Sequence, residues 1–113
     1  MLDDVTSTTL ATALSAVSQR QRVSANNLAN LETPGYQAQR VSFEDSLRSA
    51  VAAGDPASAQ VSIGGSGASD GANGNNVSLN SEIVIEQKAT TQYQLLTSAI
   101  SAKFDLISTV IKG

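Results

Sequence analysis

The Pro34-Gly35 pair restricts the fold of this chain more than any other feature, because it directly follows a long segment that can be helical. Residues 25–36 read ANNLANLETPGY. A helix can continue to about Leu31, the proline pushes Thr33 toward extended geometry, and Gly35 tolerates a positive φ. The sequence therefore predicts a long N-terminal helix that stops at this turn.

The N-terminal segment, from about Asp3 to Leu31, has apolar residues at alternating spacings of four and three. The members of this stripe are Leu10, Leu14, Val17, Leu28 and Leu31. The same spacing passes through the polar residues Gln21 and Ser24, so the segment has a heptad seam with a polar middle. Asp3 and Asp4 suit the positive end of a helix dipole.

The C-terminal segment, residues 78–112, has the strongest helical pattern. One slowly drifting apolar stripe contains Leu79, Ile83, Ala89, Tyr93, Leu96, Ile100, Phe104, Ile107 and Ile111. Glu82 and Glu86 lie in the early turns and Lys112 lies near the end, as the helix dipole favours. At about 1.5 Å per residue, roughly 35 helical residues span about 50 Å.

The middle of the chain predicts a short helix. Ser42 can cap it, Phe43 and Leu47 lie four residues apart on one face, and residues 54–56 (Gly-Asp-Pro) end it. The adjacent acidic residues 44 and 45 suit its first turn.

Six of the eight glycines lie between residues 54 and 76, together with Ser, Asn, Asp and Ala. Such a composition buries too little apolar surface to offset chain entropy, so a flexible linker is expected. Residues 60–63 alternate enough for a short strand.

The predicted fold is all-α: two long terminal amphipathic helices form an antiparallel coiled-coil-like hairpin, with a short middle helix and a Gly-rich flexible linker. The predicted segments are 1–33 (N-terminal helix), 34–53 (turn and short helix), 54–76 (linker) and 77–113 (C-terminal helix), and the two terminal helices form one assembly domain. A lone helix pair leaves much of each apolar face exposed. Further copies or relatives are therefore expected to pack beside it.

Charge and composition exclude several classes of function. The seven lysines and arginines are scattered and the net charge is −3, which disfavours nucleic acids and anionic membrane surfaces. We expect no direct membrane insertion, because no run approaches the roughly 18 apolar residues of a membrane span, and the acidic N-terminus lacks the basic start of a secretory signal. Histidine and cysteine are absent, so catalysis and a metal or other cofactor are not expected.

One motif carries a family resemblance. It consists of Asn26, Asn27, Leu28, Ala29, Asn30, Thr33, Pro34, Gly35 and Tyr36. The chain resembles the flagellar rod and hook proteins through this motif, and residues 74–79 (GNNVSL), 92–93, 103–104 and 110–113 (VIKG) are similar to the C-terminal segment of the FlgB-type, proximal-rod branch. Hook and distal-rod relatives are usually much longer.

The resemblance implies a structural subunit of the proximal rod that assembles helically, transmits torque and surrounds the export channel. Its implied partners are other rod proteins, an export-adapter protein at the rod base, further copies of itself and the flagellar type III export apparatus. The implied location is the basal body, reached without a cleaved signal peptide. Phe43 and Leu47 would form a gate-recognition pair for export. The expected assembly stripe is Leu10, Leu14, Val17, Leu28, Tyr93, Leu96, Ile100, Phe104, Ile107 and Ile111.

Other interpretations stay open. The alternative function is a cytosolic helical-hairpin adaptor or secretion chaperone, which should form a discrete stable dimer. Asn26, Asn27 and Asn30 are compatible with a solvated helix end of C-cap character. The spacing of Phe43 and Leu47 is also that of any amphipathic helical turn, and Tyr36 is either a surface turn residue or an assembly anchor.

Overall fold

The computed structural model describes residues 4–112. In chain order, the elements are α1 (Val5–Ala29), β1 (Gln39–Ser42), α2 (Glu44–Ala52), a 3-10 turn (Pro56–Ser58), β2 (Ser62–Gly65) and α3 (Leu79–Lys112). The predictions for Asp3 and for Gly113 lie outside the described residues.

The two long helices form an antiparallel hairpin. Asp4, which precedes α1, pairs with Lys103 near the end of α3, whereas Ser24 near the end of α1 contacts Glu82 in the first turn of α3. The described chain measures 63 × 26 × 14 Å, and its radius of gyration is 17.4 Å. A compact domain of this length would have a radius of gyration of about 13 Å. The predicted hairpin of long terminal helices is thus confirmed, with an elongated shape.

The prediction of an all-α fold is wrong, because β1 pairs with β2 in a two-stranded antiparallel sheet that places Val41 opposite Ile63. The strand predicted at residues 60–63 lies at Ser62–Gly65, and β1 was not among the predicted elements. The segment predicted as a linker, 54–76, contains β2 and the 3-10 turn. Its flexibility stays a prediction.

The ends of α2 differ from expectation. Ser42 does not cap this helix, since it is the last residue of β1, and the N-cap position is held by Phe43 without a side-chain capping bond. The helix ends at Ala52, and Gly54 takes a φ of +76°, which glycine adopts without steric cost.

The buried core is thin and rich in alanine. It consists of Ala13, Ala16, Val17, Val41, Phe43 and Ala89, with Val23, Leu47 and Leu96 packed partly against it. Small side chains let α1 and α3 approach closely but bury little apolar area per residue. Polar contacts therefore contribute much of what fixes the arrangement of the elements.

Candidate assembly site

Asn27 belongs to the predicted family motif, and its side chain is completely buried. Its Nδ2 donates to the Gln39 carbonyl and to Glu82 Oε1, both at 2.9 Å. Its Oδ1 accepts from the Gln39 backbone N–H at 3.0 Å and from the Tyr36 hydroxyl at 3.4 Å. The amide thus uses its donors and acceptors inside the chain, and the expectation of a solvated helix end is wrong for this residue.

Glu82 is also fully buried, and it joins three elements. Its Oε1 accepts hydrogen bonds from Asn27 and from Ser24 Oγ (3.1 Å) of α1, and its Oε2 lies 2.8 Å from a guanidinium nitrogen of Arg40 in β1. We call Ser24, Asn27, Arg40 and Glu82 the Glu82 cluster. A buried carboxylate is tolerated in a protein only when it is paired and hydrogen-bonded in this way.

The Pro-Gly turn is held by the segment that precedes α3. Asn75 Nδ2 donates to the carbonyls of Asn30, Leu31 and Thr33, just beyond the end of α1, at 2.7 to 3.2 Å. Gly35, whose φ is +74°, donates its N–H to the Asn73 carbonyl at 3.0 Å.

Asn76, which follows Asn75, also binds the chain after the Pro-Gly turn. Its Oδ1 accepts from the Ala38 N–H at 2.6 Å, and its backbone N–H donates to the Tyr36 carbonyl. The two segments that carry the family resemblance therefore meet in space.

The remaining residues of the motif lie nearer the surface. Asn26 is exposed and donates from Nδ2 to the Tyr36 hydroxyl at 2.8 Å. Asn30 donates to the Asn26 carbonyl and accepts from Thr33 Oγ1 at 3.0 Å. Leu28 is half-buried, and Ala29, Pro34 and Gly35 are exposed. Asn27 is therefore the buried anchor of the motif, whereas the neighbouring residues of the motif are half-buried or exposed.

Arg20 links α1 to the start of α2. Its two terminal nitrogens bind the two carboxylate oxygens of Glu44 at 2.7 and 2.8 Å, and one also donates to the Val41 carbonyl. The guanidinium carbon lies 4.9 Å from the centre of the Phe43 ring, within cation–π range. The hydrogen bonds from Arg20 lower the pKa of Glu44 to about 2, against a smaller opposing effect of burial.

The proposed export pair is packed inside the folded subunit. Phe43 belongs to the buried core, and Leu47 is half-buried against that core. The structure thus brings the two side chains together on one side of α2, but the Phe43 ring is covered by the chain and by Arg20. Their role in export stays a prediction.

The predicted assembly stripe is divided by the fold. Val17 is fully buried, while Leu10, Leu14, Leu28, Leu96, Ile100 and Ile107 are half-buried. Tyr93, Phe104 and Ile111 are exposed, Ile111 with 78% of its surface accessible. The stripe therefore packs α3 on α1 along part of its length and leaves its last turns uncovered.

A second apolar line on α3 was missed by the sequence analysis. Val84, Leu95 and Leu106 are spaced eleven residues apart, which is close to three turns, so they lie along one side of the helix. Leu95 and Leu106 are 70% and 65% exposed. Apolar residues that repeat every eleven positions are the sequence signal for this line, and a single stripe at heptad spacing does not include them.

The start of α1 meets α3 near Lys103 at one end of the hairpin. There Lys103 Nζ lies 2.8 Å from Asp4 Oδ2, and this hydrogen bond, followed by that from the Ser7 backbone, lowers the pKa of Asp4 to about 2. An apolar groove of about 160 Å³ opens beside this pair, with Leu10, Ala11 and Ile100 among its lining residues. Beyond Lys103, α3 continues to Lys112 with Leu106, Val110 and Ile111 exposed.

The described residues hold few features of a chemical site. Among residues 4–112, no group of three or more Asp or Glu side chains is placed to hold a metal ion. None of the helices described is both long enough and apolar enough to cross a membrane. The prominent features of residues 4–112 are the Glu82 cluster and the exposed apolar residues of α3.

The known proteins to which this chain is similar all belong to one family. The profile of the family described as "Flagella basal body rod protein" matches residues 8–37. The chain is 31% identical, over an alignment 129 positions long, to the flagellar basal body rod protein FlgB of Bacillus subtilis (strain 168), and the alignment covers 92% of this chain and 91% of that relative. FlgB of Escherichia coli (strain K12) is 41% identical over 51 residues, which are 45% of this chain and 37% of that relative. The figures are the same for FlgB of Shigella flexneri.

Proposed function

Because this chain belongs to the flagellar basal body rod protein family and is a structural subunit of the basal body, we propose that it stacks helically to form the proximal part of the rod. In this role it transmits torque and surrounds the export channel. A torque-bearing tube requires long helices buried side by side between neighbouring subunits, and this chain supplies two of them.

The observation that carries this proposal is the apolar surface that α3 leaves exposed. Leu95, Leu106, Val110 and Ile111 are each at least 65% accessible. A small monomer seldom places this many large apolar side chains on one exposed helix, and such a patch is typical of an interface. Packing against neighbouring subunits would bury these residues.

The partners we propose are other rod proteins, further copies of this chain and an export-adapter protein at the base of the rod. Assembly with other components of the basal body follows from the family. The two exposed apolar surfaces of α3 would contact different neighbours. The line through Val84, Leu95 and Leu106 would contact a neighbour beside the hairpin, and the last turns of α3 would contact a neighbour beyond it.

We also propose that the flagellar type III apparatus exports the chain in an unfolded state. Phe43 is 5% exposed in the folded subunit, so recognition of Phe43 and Leu47 requires that α2 has not yet packed. The alternative of a cytosolic adaptor or secretion chaperone is not favoured, because the relatives that match are rod proteins.

A charge placed on the exposed line of α3 tests the proposal without disturbing the subunit core. Leu106→Asp should abolish incorporation into basal bodies and swimming, because an unpaired carboxylate would be buried between helices. Urea unfolding of the purified variant should match that of the parent chain. Ser101→Asp, an exposed position on a different side of α3, is the matched control and should swim. Normal basal bodies containing Leu106→Asp would contradict the proposed interface.

A further inference from the structure

The Glu82 cluster joins parts of the chain that are far apart in sequence. Ser24 and Asn27 lie near the end of α1, Arg40 lies in β1, and Glu82 lies in the first turn of α3. From these contacts we infer that Glu82 acts as a conformational coupler: the sheet formed by β1 and β2 becomes ordered only when α3 has docked and delivered this carboxylate.

The position of β1 depends on Asn27. Its backbone at Gln39 both donates to and accepts from the Asn27 side chain, at 3.0 and 2.9 Å. An asparagine amide can make this pair of bonds only in one orientation, with Oδ1 toward the N–H and Nδ2 toward the carbonyl. The second hydrogen of Nδ2 then needs an acceptor, and Glu82 Oε1 provides it at 2.9 Å.

The second link to the sheet is electrostatic. Arg40 follows Gln39 in β1; its side chain is 30% exposed, and a guanidinium nitrogen lies 2.8 Å from Glu82 Oε2. Without the carboxylate, the Asn27 amide would lose one of its two acceptors, and the Arg40 guanidinium would keep only its bond to the Gln39 carbonyl at 2.8 Å. Unpaired buried polar groups are costly, so β1 is expected to leave this position when Glu82 is absent.

Of the two strands, β1 is also held by Val41, which lies in the core and accepts from Arg20 through its carbonyl, whereas β2 has little besides its pairing with β1. The two strands have four residues each, and β2 is exposed along its whole length. A two-stranded hairpin is marginally stable on its own. The ion pair of Arg40 with Glu82, and the Asn27 amide that Glu82 helps to orient, therefore couple the order of β1 and β2 to a helix that begins at residue 79.

Amide hydrogen exchange on the full-length purified chain tests the coupling. Glu82→Gln keeps an oxygen acceptor for Asn27 and Ser24 but presents an amide to the Arg40 cation. We expect the amides of Gln39–Ser42 and Ser62–Gly65 to exchange at least about tenfold faster in this variant than in the parent chain. Exchange of the amides of Ala13, Ala16 and Val17 should rise by no more than about twofold. Glu86→Gln makes the same charge change one turn later in α3 and is the matched control. Amide exchange of the strands and of α1 should be the same in this variant as in the parent chain.

A second substitution tests whether Arg40 acts through Glu82. Adding Arg40→Met to Glu82→Gln removes the cation but restores no bond between α3 and β1, so exchange in both strands should stay about as fast as in Glu82→Gln. Unchanged exchange of both strands in Glu82→Gln would overturn the inference, as would an equal acceleration in all elements. A further acceleration of about tenfold or more in the double variant would also overturn it, because Arg40 would then hold β1 independently of Glu82.

Discussion

The two ends of the helical hairpin are built from opposite kinds of contact. At the closed end, which we define as residues 24–40 with residues 73–82, buried asparagines and Glu82 make short hydrogen bonds within the chain. At the open end, residues 4–11 with 100–112, the structure places one exposed ion pair, an apolar groove and several exposed apolar side chains.

This difference indicates how a small rod subunit divides its surface between folding and assembly. Buried hydrogen bonds are directional, so they define one arrangement of α1, β1 and α3 in a chain whose apolar core is thin. Exposed apolar residues favour contact with many neighbours and are suited to packing between copies. The closed end therefore determines the fold of the subunit, and the open end is left for other subunits.

The largest expected contrast compares two phenylalanines. Phe43→Ala removes a buried core ring next to the closed end and should lower the free energy of unfolding by about 3 kcal/mol or more. Phe104→Ala, at a ring that is 51% exposed at the open end, should change it by less than about 1 kcal/mol. Urea unfolding monitored by circular dichroism measures both. Equal losses would mean that the open end is part of the subunit core.

Two neighbouring asparagines of the motif sharpen the comparison. Asn27→Ala leaves Gln39 and Glu82 without their buried partner and should cost about 2–3 kcal/mol. Asn26→Ala removes only an exposed bond to Tyr36 and should cost about 0.5 kcal/mol or less. The same unfolding measurement applies. A small effect of Asn27→Ala would argue against the closed end as the determinant of the fold.

The pH dependence of stability tests the pair of Arg20 with Glu44. The pKa of Glu44 is lowered to about 2 in the folded chain, from an ordinary value of 4.5. The stabilisation is therefore complete above pH 4.5 and is lost as the pH falls toward 2. Since the Glu44 side chain is 46% exposed, we expect no more than about 1 kcal/mol. Glu44→Gln should unfold with less dependence on pH across this range, and an unaltered dependence would contradict the assignment.

The smallest effect is expected at the first turn of α1. Asp4 caps this helix by accepting from the Ser7 N–H at 2.8 Å, and it also pairs with Lys103. Asp4→Ala should speed amide exchange of Ser7 and Thr8 by a few-fold, because the cap is lost. Amides of residues 24–29 at the closed end should keep their rates. A loss of protection there would show that the two ends are coupled.

The parts of the fold predictable from sequence are those with local signals. The helical period predicted 78–112 for the C-terminal helix, which spans Leu79–Lys112, and the Pro-Gly pair predicted where α1 ends within two residues. The strand β1 was missed because a four-residue strand is defined by its pairing with β2 and Asn27, which local sequence does not encode.

The site was predictable only in part. The motif around Asn27 was recognised, but Glu82 was assigned to the helix dipole, since nothing near it in sequence indicates that Asn27 and Arg40 would enclose it. One sequence signal for the Glu82 cluster is the polar residue Ser24 on the apolar stripe of the N-terminal segment, because a polar residue on such a stripe often has a buried partner. The line of Val84, Leu95 and Leu106 was missed because it has a different period from the main stripe.

Amide hydrogen exchange along α3, in the free subunit and in isolated rods, tests the division between the two ends most directly. In the free subunit, amides of residues 86–92 should be protected at least about a hundredfold more than those of residues 106–111, and in rods the two groups should be protected alike. Equal protection of both groups in the free subunit would contradict the division. So would a helix end that stays unprotected in the assembled rod.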